Sequence, residues 1–303
     1  CCSGVIENKP MKLFLKRTSL FFLVLLLLFI TAFGVMDYLV NKAFDSYRVD
    51  PKITTVFMGD SHPQCAVNDA FLPNARNFAQ AAEASYYTYF KMKTLLENNP
   101  SIKKVYLGLG YHNISSHYDQ YIYGGHAKDI AARYFFILPL QDKLTVLAKN
   151  PIDAVELLEN AWNNGLKNRK LENTDNTILG HYENFFVDVA ARKSSMDRRL
   201  KLQFTENGQL RDCSEFNIGY FDKMAALCRS KNVSLIVINT PVHPYYKSRV
   251  PEKFRARYDE ILKKNRLNLF AFDTLTLNDS TYVPDGDHIS AKGAIYTTAL
   301  FKQ

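Results

Sequence analysis

The hydrophobic pattern splits the chain into a long apolar run, a series of short strands and amphipathic helices, and a polar middle. Residues 20–36 carry no charge and include Phe21-Phe22-Leu23-Val24-Leu25-Leu26-Leu27-Leu28-Phe29-Ile30. With Thr18 and Ser19 in front, the run approaches the roughly 20 residues that span a bilayer core. Residues 53–58 are a shorter apolar run, rich in β-branched side chains and bounded by Pro51 and Gly59, and so predict a buried strand. Residues 75–79 predict a short second strand and 104–109 a third. Between them, 83–98 reads as a helix with Tyr87, Phe90 and Leu95 on one stripe and Asn99-Pro100 as its stop. Strand, helix, strand is the unit of a parallel sheet.

The regular pattern lapses over residues 114–214. Helices are expected at 127–136 and 151–160, while 163–184 is polar and asparagine-rich. This stretch predicts an insertion that serves as a cap or a docking surface. Regularity returns at Glu215, where Phe216, Tyr220, Met224, Leu227 and Cys228 recur at helical spacing. A strand over 233–238, a helix over 252–264, a strand over 267–272 and a helix over 290–301 complete the pattern. Asp287 or Ser290 is placed to cap the last helix. The expected fold class is α/β: a parallel-sheet, three-layer α/β/α outer domain behind one N-terminal transmembrane helix.

The 303 residues suit one large domain or two small ones, and 47% hydrophobic content allows a sizeable core. Lys12, Lys16 and Arg17 precede the apolar run and mark a cytoplasmic side. The expected organisation is a cytoplasmic N-terminus at 1–17, an anchor at 18–38, a polar linker at 39–50 and an outer domain at 51–303. Nothing after the anchor is long and apolar enough to cross again, which places the outer domain outside the cytoplasm. A cleaved signal peptide is the competing expectation, but Ala32-Phe33-Gly34 matches a cleavage site only loosely and the run exceeds a usual signal core. Met11-Lys12-Leu13-Phe14 looks like a natural start, so residues 1–10 are expected to be an upstream extension.

The net charge of +8 is partly the basic flank of the anchor. Arg192-Lys193, Arg198-Arg199 and Lys201 form the dense basic cluster of the outer domain. Anionic lipid, an acidic glycan or plain solvent could each face it. Nucleic acid is not an expected partner on that side of a membrane. Cys65, Cys213 and Cys228 show no CxxC spacing, and no zinc signature is present. Cys213–Cys228 is the pair an oxidising compartment could join, with buried free thiols the alternative.

Candidate chemistry sits at two distant places. Gly59-Asp60-Ser61-His62 follows the first strand, where α/β folds present reactive groups. Serine needs a base to take its proton and a third group to orient that base. His288 and Asp285, within Asp285-Gly286-Asp287-His288, fill those roles at a spacing one turn can close, with Asp287 a rival orienter. Together the two stretches resemble the SGNH/GDSL hydrolase family, which carries Gly-Asp-Ser after its first strand and Asp-x-x-His near its C-terminus. The resemblance covers residues 51–303, with His62 where the family usually has leucine.

That resemblance implies Ser61 as nucleophile, His288 as base and Asp285 as its orienter, with no cofactor and no metal. It also implies oxyanion donors after the second and third strands. The family's glycine after the second strand is missing, leaving the backbone N–H of Ala79 or Gln80. After the third strand Asn113 is the expected donor, with His112 the alternative. His243, at the end of another strand, is placed to touch substrate.

One anchor before such a domain is similar to the branch of the family that works in O-acylation of cell-surface polymers. It implies an esterase or O-acyltransferase acting on acyl or acetyl esters of glycans, with a multi-spanning membrane O-acyltransferase and the bilayer as partners. A non-catalytic scaffold for such a transferase is the alternative. Lipase action is a third idea, motivated by the anchor and by Tyr111, Tyr118, Tyr121 and Tyr123, which would equally suit a carbohydrate platform. Asp60-Ser61-His62 also resembles the first motif of calcineurin-like phosphoesterases, whose later metal-binding motifs are missing.

Overall fold

The computed structural model describes residues 9–171, 176–185, 191–270, 272, 275 and 277–302. Five parallel strands form the central sheet: β1 (Thr55–Met58), β2 (Ala75–Asn77), β3 (Lys104–Gly108), β4 (Ser234–Ile238) and β5 (Asn268–Phe270). Their order is β2-β1-β3-β4-β5. Phe57 lies opposite Asn77 on one side and Tyr106 on the other, and Leu107 lies opposite Val237.

Alternation along these strands divides two cores. Val56, Met58, Val105, Leu107 and Val237 face a large cluster that includes helices α3 (Ser85–Asn98), α8 (Glu215–Ser230) and α9 (Glu252–Asn265). Phe57, Tyr106 and Ile238 face a smaller one with Cys65 and Ala66 of α2 (Ser61–Ala66) and Ala294 of α10 (Ala291–Ala299). Both faces of the sheet are therefore covered, as buried parallel strands require. Phe57 stacks on Tyr106 at 5.0 Å, and Phe301 closes against both rings. This is a three-layer α/β/α fold.

The N-terminal helix α1 (Lys9–Ser46) is the one helix among the described residues long and apolar enough to cross a membrane. It runs through much of the stretch expected as a linker. Met36, at the end of the apolar run, and Val40 and Phe44 beyond it continue the helical period and are buried in the large core. Asn41 Nδ2 donates to the Phe136 carbonyl at 2.8 Å. The helix is thus docked on the domain and does not hold it off through a flexible tether.

Residues 114–214 add helices α4 (Ala127–Tyr134), α5 (Leu140–Lys149), α6 (Ala154–Asn168) and α7 (Lys193–Phe204), plus a hairpin of two-residue strands. α4 packs on α6, and both join the core beside α1. Ser290 caps α10 by accepting from the Gly293 N–H, so Asp287 is free for another task. Of the two alternatives for the cysteines, free thiols hold: Cys65, Cys213 and Cys228 are unbridged, with Cys65 and Cys228 buried and Cys213 half-buried. Cys213 sits in a β-bridge opposite Ser115, whereas Cys228 faces Met92 from α8.

Candidate active site

The carboxyl ends of β1 and β3 deliver two parts of the site, and the loop before α10 delivers the third. After β1 the chain turns at Gly59, whose φ is +124°. A Cβ there would also come within 3.2 Å of the Gly108 backbone, so both the turn and the close approach of β3 call for glycine. Asp60 then caps α2, accepting from the His62 N–H at 3.0 Å, and Ser61 opens the helix. Near the C-terminus, Asp285 Oδ1 accepts from the Asp287 and His288 N–H groups at 3.0 and 3.2 Å. Gly286 takes φ +65° at the centre of that turn.

These turns bring together residues 227 positions apart. Ser61 Oγ lies 2.7 Å from His288 Nε2. His288 Nδ1 lies 2.9 Å from Asp285 Oδ2. Burial works against ionisation of Asp285, but its bond with His288 prevails and holds the carboxyl below the usual range. An ionised carboxylate only accepts, so Nδ1 carries the proton and Nε2 is left to accept from the Ser61 hydroxyl. Ser61 and His288 are both largely buried. Phe185 stands edge-on to the His288 ring at 5.8 Å, and its carbonyl accepts from the Ala291 N–H.

Behind this row lies a second cluster of charge. The rings of His112, His62 and His288 stack in sequence, with centroids 3.9 and 4.5 Å apart. Asp60 is wholly buried; its Oδ2 accepts from His112 Nε2 at 2.9 Å, from Asn113 Nδ2 at 2.7 Å and from the Tyr118 hydroxyl. His62 sits between two carboxylates, with Nδ1 3.1 Å from Asp60 Oδ1 and Nε2 3.1 Å from Asp287 Oδ1. The second contact has the distance of an ion pair without the angle of a hydrogen bond. Burial would push the His62 ring down, but the two carboxylates outweigh it and raise it to about 10. Burial likewise opposes the charge on Asp60 and Asp287, yet their cationic neighbours hold both well below the carboxylate range.

Asp287 has further partners on α7: Arg199 Nε at 2.8 Å and Gln203 Nε2 at 2.7 Å. Gln203 is held in turn by the Tyr246 hydroxyl. The cluster therefore balances Asp60 and Asp287 against protonated His62 and Arg199. Donor atoms of Asp60, His62 and His112, and separately of His62, Asp287 and His288, lie close enough to share a cation. A proton on His62 and the Arg199 guanidinium already meet that charge, and each carboxylate has its donors. The same groups are drawn together by ion pairing, through the contacts of His62 with Asp60 and Asp287 and of Arg199 with Asp287.

The residues expected as oxyanion donors are engaged by other acceptors. The Ala79 N–H donates to Asn77 Oδ1 at 2.9 Å and the Gln80 N–H to the Gly59 carbonyl at 2.9 Å. His112 and Asn113 turn onto Asp60, and Asn113 Oδ1 also accepts from the Gly110 N–H. The Ser61 N–H, first in α2, has no acceptor within its helix, as at any helix start. His243 is spent on structure: its side chain pairs with Asp279 at 3.0 Å and caps the turn at Tyr245, and its N–H donates to the Gly286 carbonyl at 2.7 Å. It braces the Asp285–His288 turn from behind.

Two expectations from composition also change. The basic cluster divides, because Arg199 turns inward to Asp287 while Arg198 and Lys201 stay exposed. Tyr118 is buried, and Tyr111, Tyr121 and Tyr123 pack against the large core, so these rings are no open platform. Gln203 and Tyr246 were not marked by the sequence as site residues, and Arg199 and Tyr118 only as members of a basic cluster and an aromatic-rich stretch. Their only signal is buried polarity, which spacing does not reveal.

No protein-family model and no curated protein matches the chain. Among solved structures it is similar to a GDSL-like lipase from Bacteroides thetaiotaomicron, at 13% identity and TM-score 0.37, covering 84% of this chain and 88% of that one. A protein assigned as an acylhydrolase from Bacteroides fragilis gives 13% and 0.37 over 87% and 92% of the two chains. One assigned as a platelet activating factor from Streptococcus pneumonia gives 12% and 0.39 over 92% and 97%. What the site can do is set by its own side chains.

Proposed function

We propose that the chain is a membrane-anchored ester hydrolase or O-acyltransferase that works through an acyl-enzyme on Ser61. The observation that carries this reading is the unbroken line from Ser61 Oγ to His288 to Asp285, at 2.7 and 2.9 Å. As Ser61 Oγ bonds to an ester carbonyl carbon, its proton passes to His288 Nε2. Asp285 holds the ring's tautomer and stabilises the imidazolium that forms. Collapse of the tetrahedral intermediate breaks the ester C–O bond, and the imidazolium returns the proton to the leaving alkoxide. His288 then deprotonates water, giving an esterase, or an acceptor hydroxyl, giving a transferase, and Ser61 is released.

The Ser61 N–H at the start of α2 is the donor nearest the developing oxyanion by position in the chain. The anchor and the resemblance noted above favour acyl or acetyl esters of cell-surface glycans as substrate. They also favour an extracytoplasmic domain and a membrane O-acyltransferase as partner. A scaffold role without turnover is the second reading, favoured by the prior engagement of the Ala79, Gln80, His112 and Asn113 donors.

The full chain in detergent or nanodiscs, given p-nitrophenyl acetate with excess chelator, separates the two. Release of p-nitrophenol that survives chelation and disappears in Ser61→Ala supports the acyl-enzyme. A folded chain with no release above the Ser61→Ala level supports the scaffold.

A further inference from the structure

We propose that the tip of the cap, at the start of α6, rests in the outer interface of the bilayer that α1 crosses, with lipid as its occupant. The inference rests on α1 being a membrane span. Along α1, residues 19–31 are exposed, and burial against the domain begins only at Ala32 and Phe33. Residues 18–31, the uncharged part of α1 before it meets the domain, form a rod about 21 Å long at 1.5 Å per residue, short of the roughly 30 Å of a bilayer core. The free part of the helix therefore ends before the span does, and the cap first touches α1 at the outer part of the bilayer.

The cap reaches down to that limit. α6 runs parallel to α1: Val155, Leu158 and Trp162 share an apolar groove with Phe29, Ala32 and Phe33. Further along, Gly165 packs on Met36. The first turn of α6 therefore lies level with Phe29, inside the apolar run. At that end Ile152 is 94% exposed and Val155 80%. Such exposure is costly in water and natural at a lipid interface. Trp162, the single tryptophan of the chain, packs 5.3 Å from Phe33 just above, where amphipathic rings collect at membrane surfaces.

The polar groups set the depth. Glu156 is satisfied by Lys128 at 2.8 Å, and Lys143 pairs with Asp37 where the apolar run ends. Glu159 on the rim of the groove keeps the contact at headgroup level. α1 and the cap together would hold the Ser61 edge of the sheet at a fixed height and tilt above the lipid, which a flexible linker would not do.

The test uses the full chain in lipid nanodiscs, in a Trp162→Phe background, with one new tryptophan in each variant. Leu26→Trp reports insertion of α1. Ile152→Trp, at a nearly fully exposed position, reports the cap. Tyr296→Trp lies on α10, across the sheet from the core that takes in α1. The lipid is phosphatidylcholine brominated near the headgroup end of its chains. Loss of most emission from Ile152→Trp and Leu26→Trp, with none from Tyr296→Trp, is the expected result. Quenching at Leu26→Trp without quenching at Ile152→Trp would overturn the proposal by placing the tip outside the lipid. No quenching at Leu26→Trp would overturn it by removing the membrane span beneath it.

Discussion

Two groups of aspartate and histidine meet at the same sheet edge, and they are built for opposite tasks. In the Ser61–His288–Asp285 row each ring nitrogen has one partner, and the row ends at a hydroxyl that can part with its proton. In the Asp60–His62–Asp287 cluster each carboxylate has several donors, the charges balance, and nothing is left to move. The two share a ring face, His62 on His288, so the locked cluster forms the floor of the movable one. Partner number and burial, more than residue type, distinguish the aspartate proposed for chemistry from the two that are locked in the fold.

Exchanging the amide for the carboxylate in each group breaks the comparison most sharply. Asp285→Asn is expected to cost about 10⁴ in ester turnover, through the wrong His288 tautomer, with little change in melting temperature. Asp287→Asn is expected to reverse that order and show first as lost stability. Comparable turnover losses from the two variants, with both melting normally, would erase the distinction.

His62→Phe is next in size. It leaves Asp60 and Asp287 without their shared cation, and breaking a buried ion pair costs about 3–5 kcal/mol. Chemical denaturation of the full chain would read the loss. A variant as stable as the parent would mean the ring is not charged.

The gentlest probe is pH. His62 is raised from 6.5 to about 10 in the folded chain, so its contribution is fully present below about pH 6.5 and is lost as pH rises toward 10. Asp60 and Asp287 are lowered, so theirs is present above about pH 4 and lost as pH falls. Thermal melts should therefore peak between those limits and decline on both sides, and His62→Phe should flatten the alkaline decline. An alkaline limb unchanged in the variant would place the titration elsewhere.

Much of this was legible in the sequence, and the reasons differ from place to place. The strands at 55–58, 104–108 and 234–238 are largely apolar short runs alternating with helical patterns, which together point to a doubly covered parallel sheet and the α/β class. That Ser61, Asp285 and His288 would meet was readable because the two motifs, paired at the ends of one α/β pattern, resemble a known family's arrangement. Partner choice was not. Nothing in Ala79, Gln80, His112 or Asn113 says that nearer acceptors will claim their N–H groups. Arg199 looked like one of several surface cations, since a single inward-turned arginine in a basic cluster has no periodic signature. The region taken for a linker was misjudged for a different reason. Met36, Val40 and Phe44 keep the helical period, but polar neighbours such as Asn41 and Lys42 dilute it.

The central claim is that Ser61 carries the acyl group, and intact-mass and peptide mapping after brief exposure to p-nitrophenyl acetate test it most directly. The account predicts a single acetyl adduct on the peptide holding Ser61, absent in Ser61→Ala and slow to form in Asp285→Asn. An adduct on another residue, or turnover unchanged in Ser61→Ala, would contradict it.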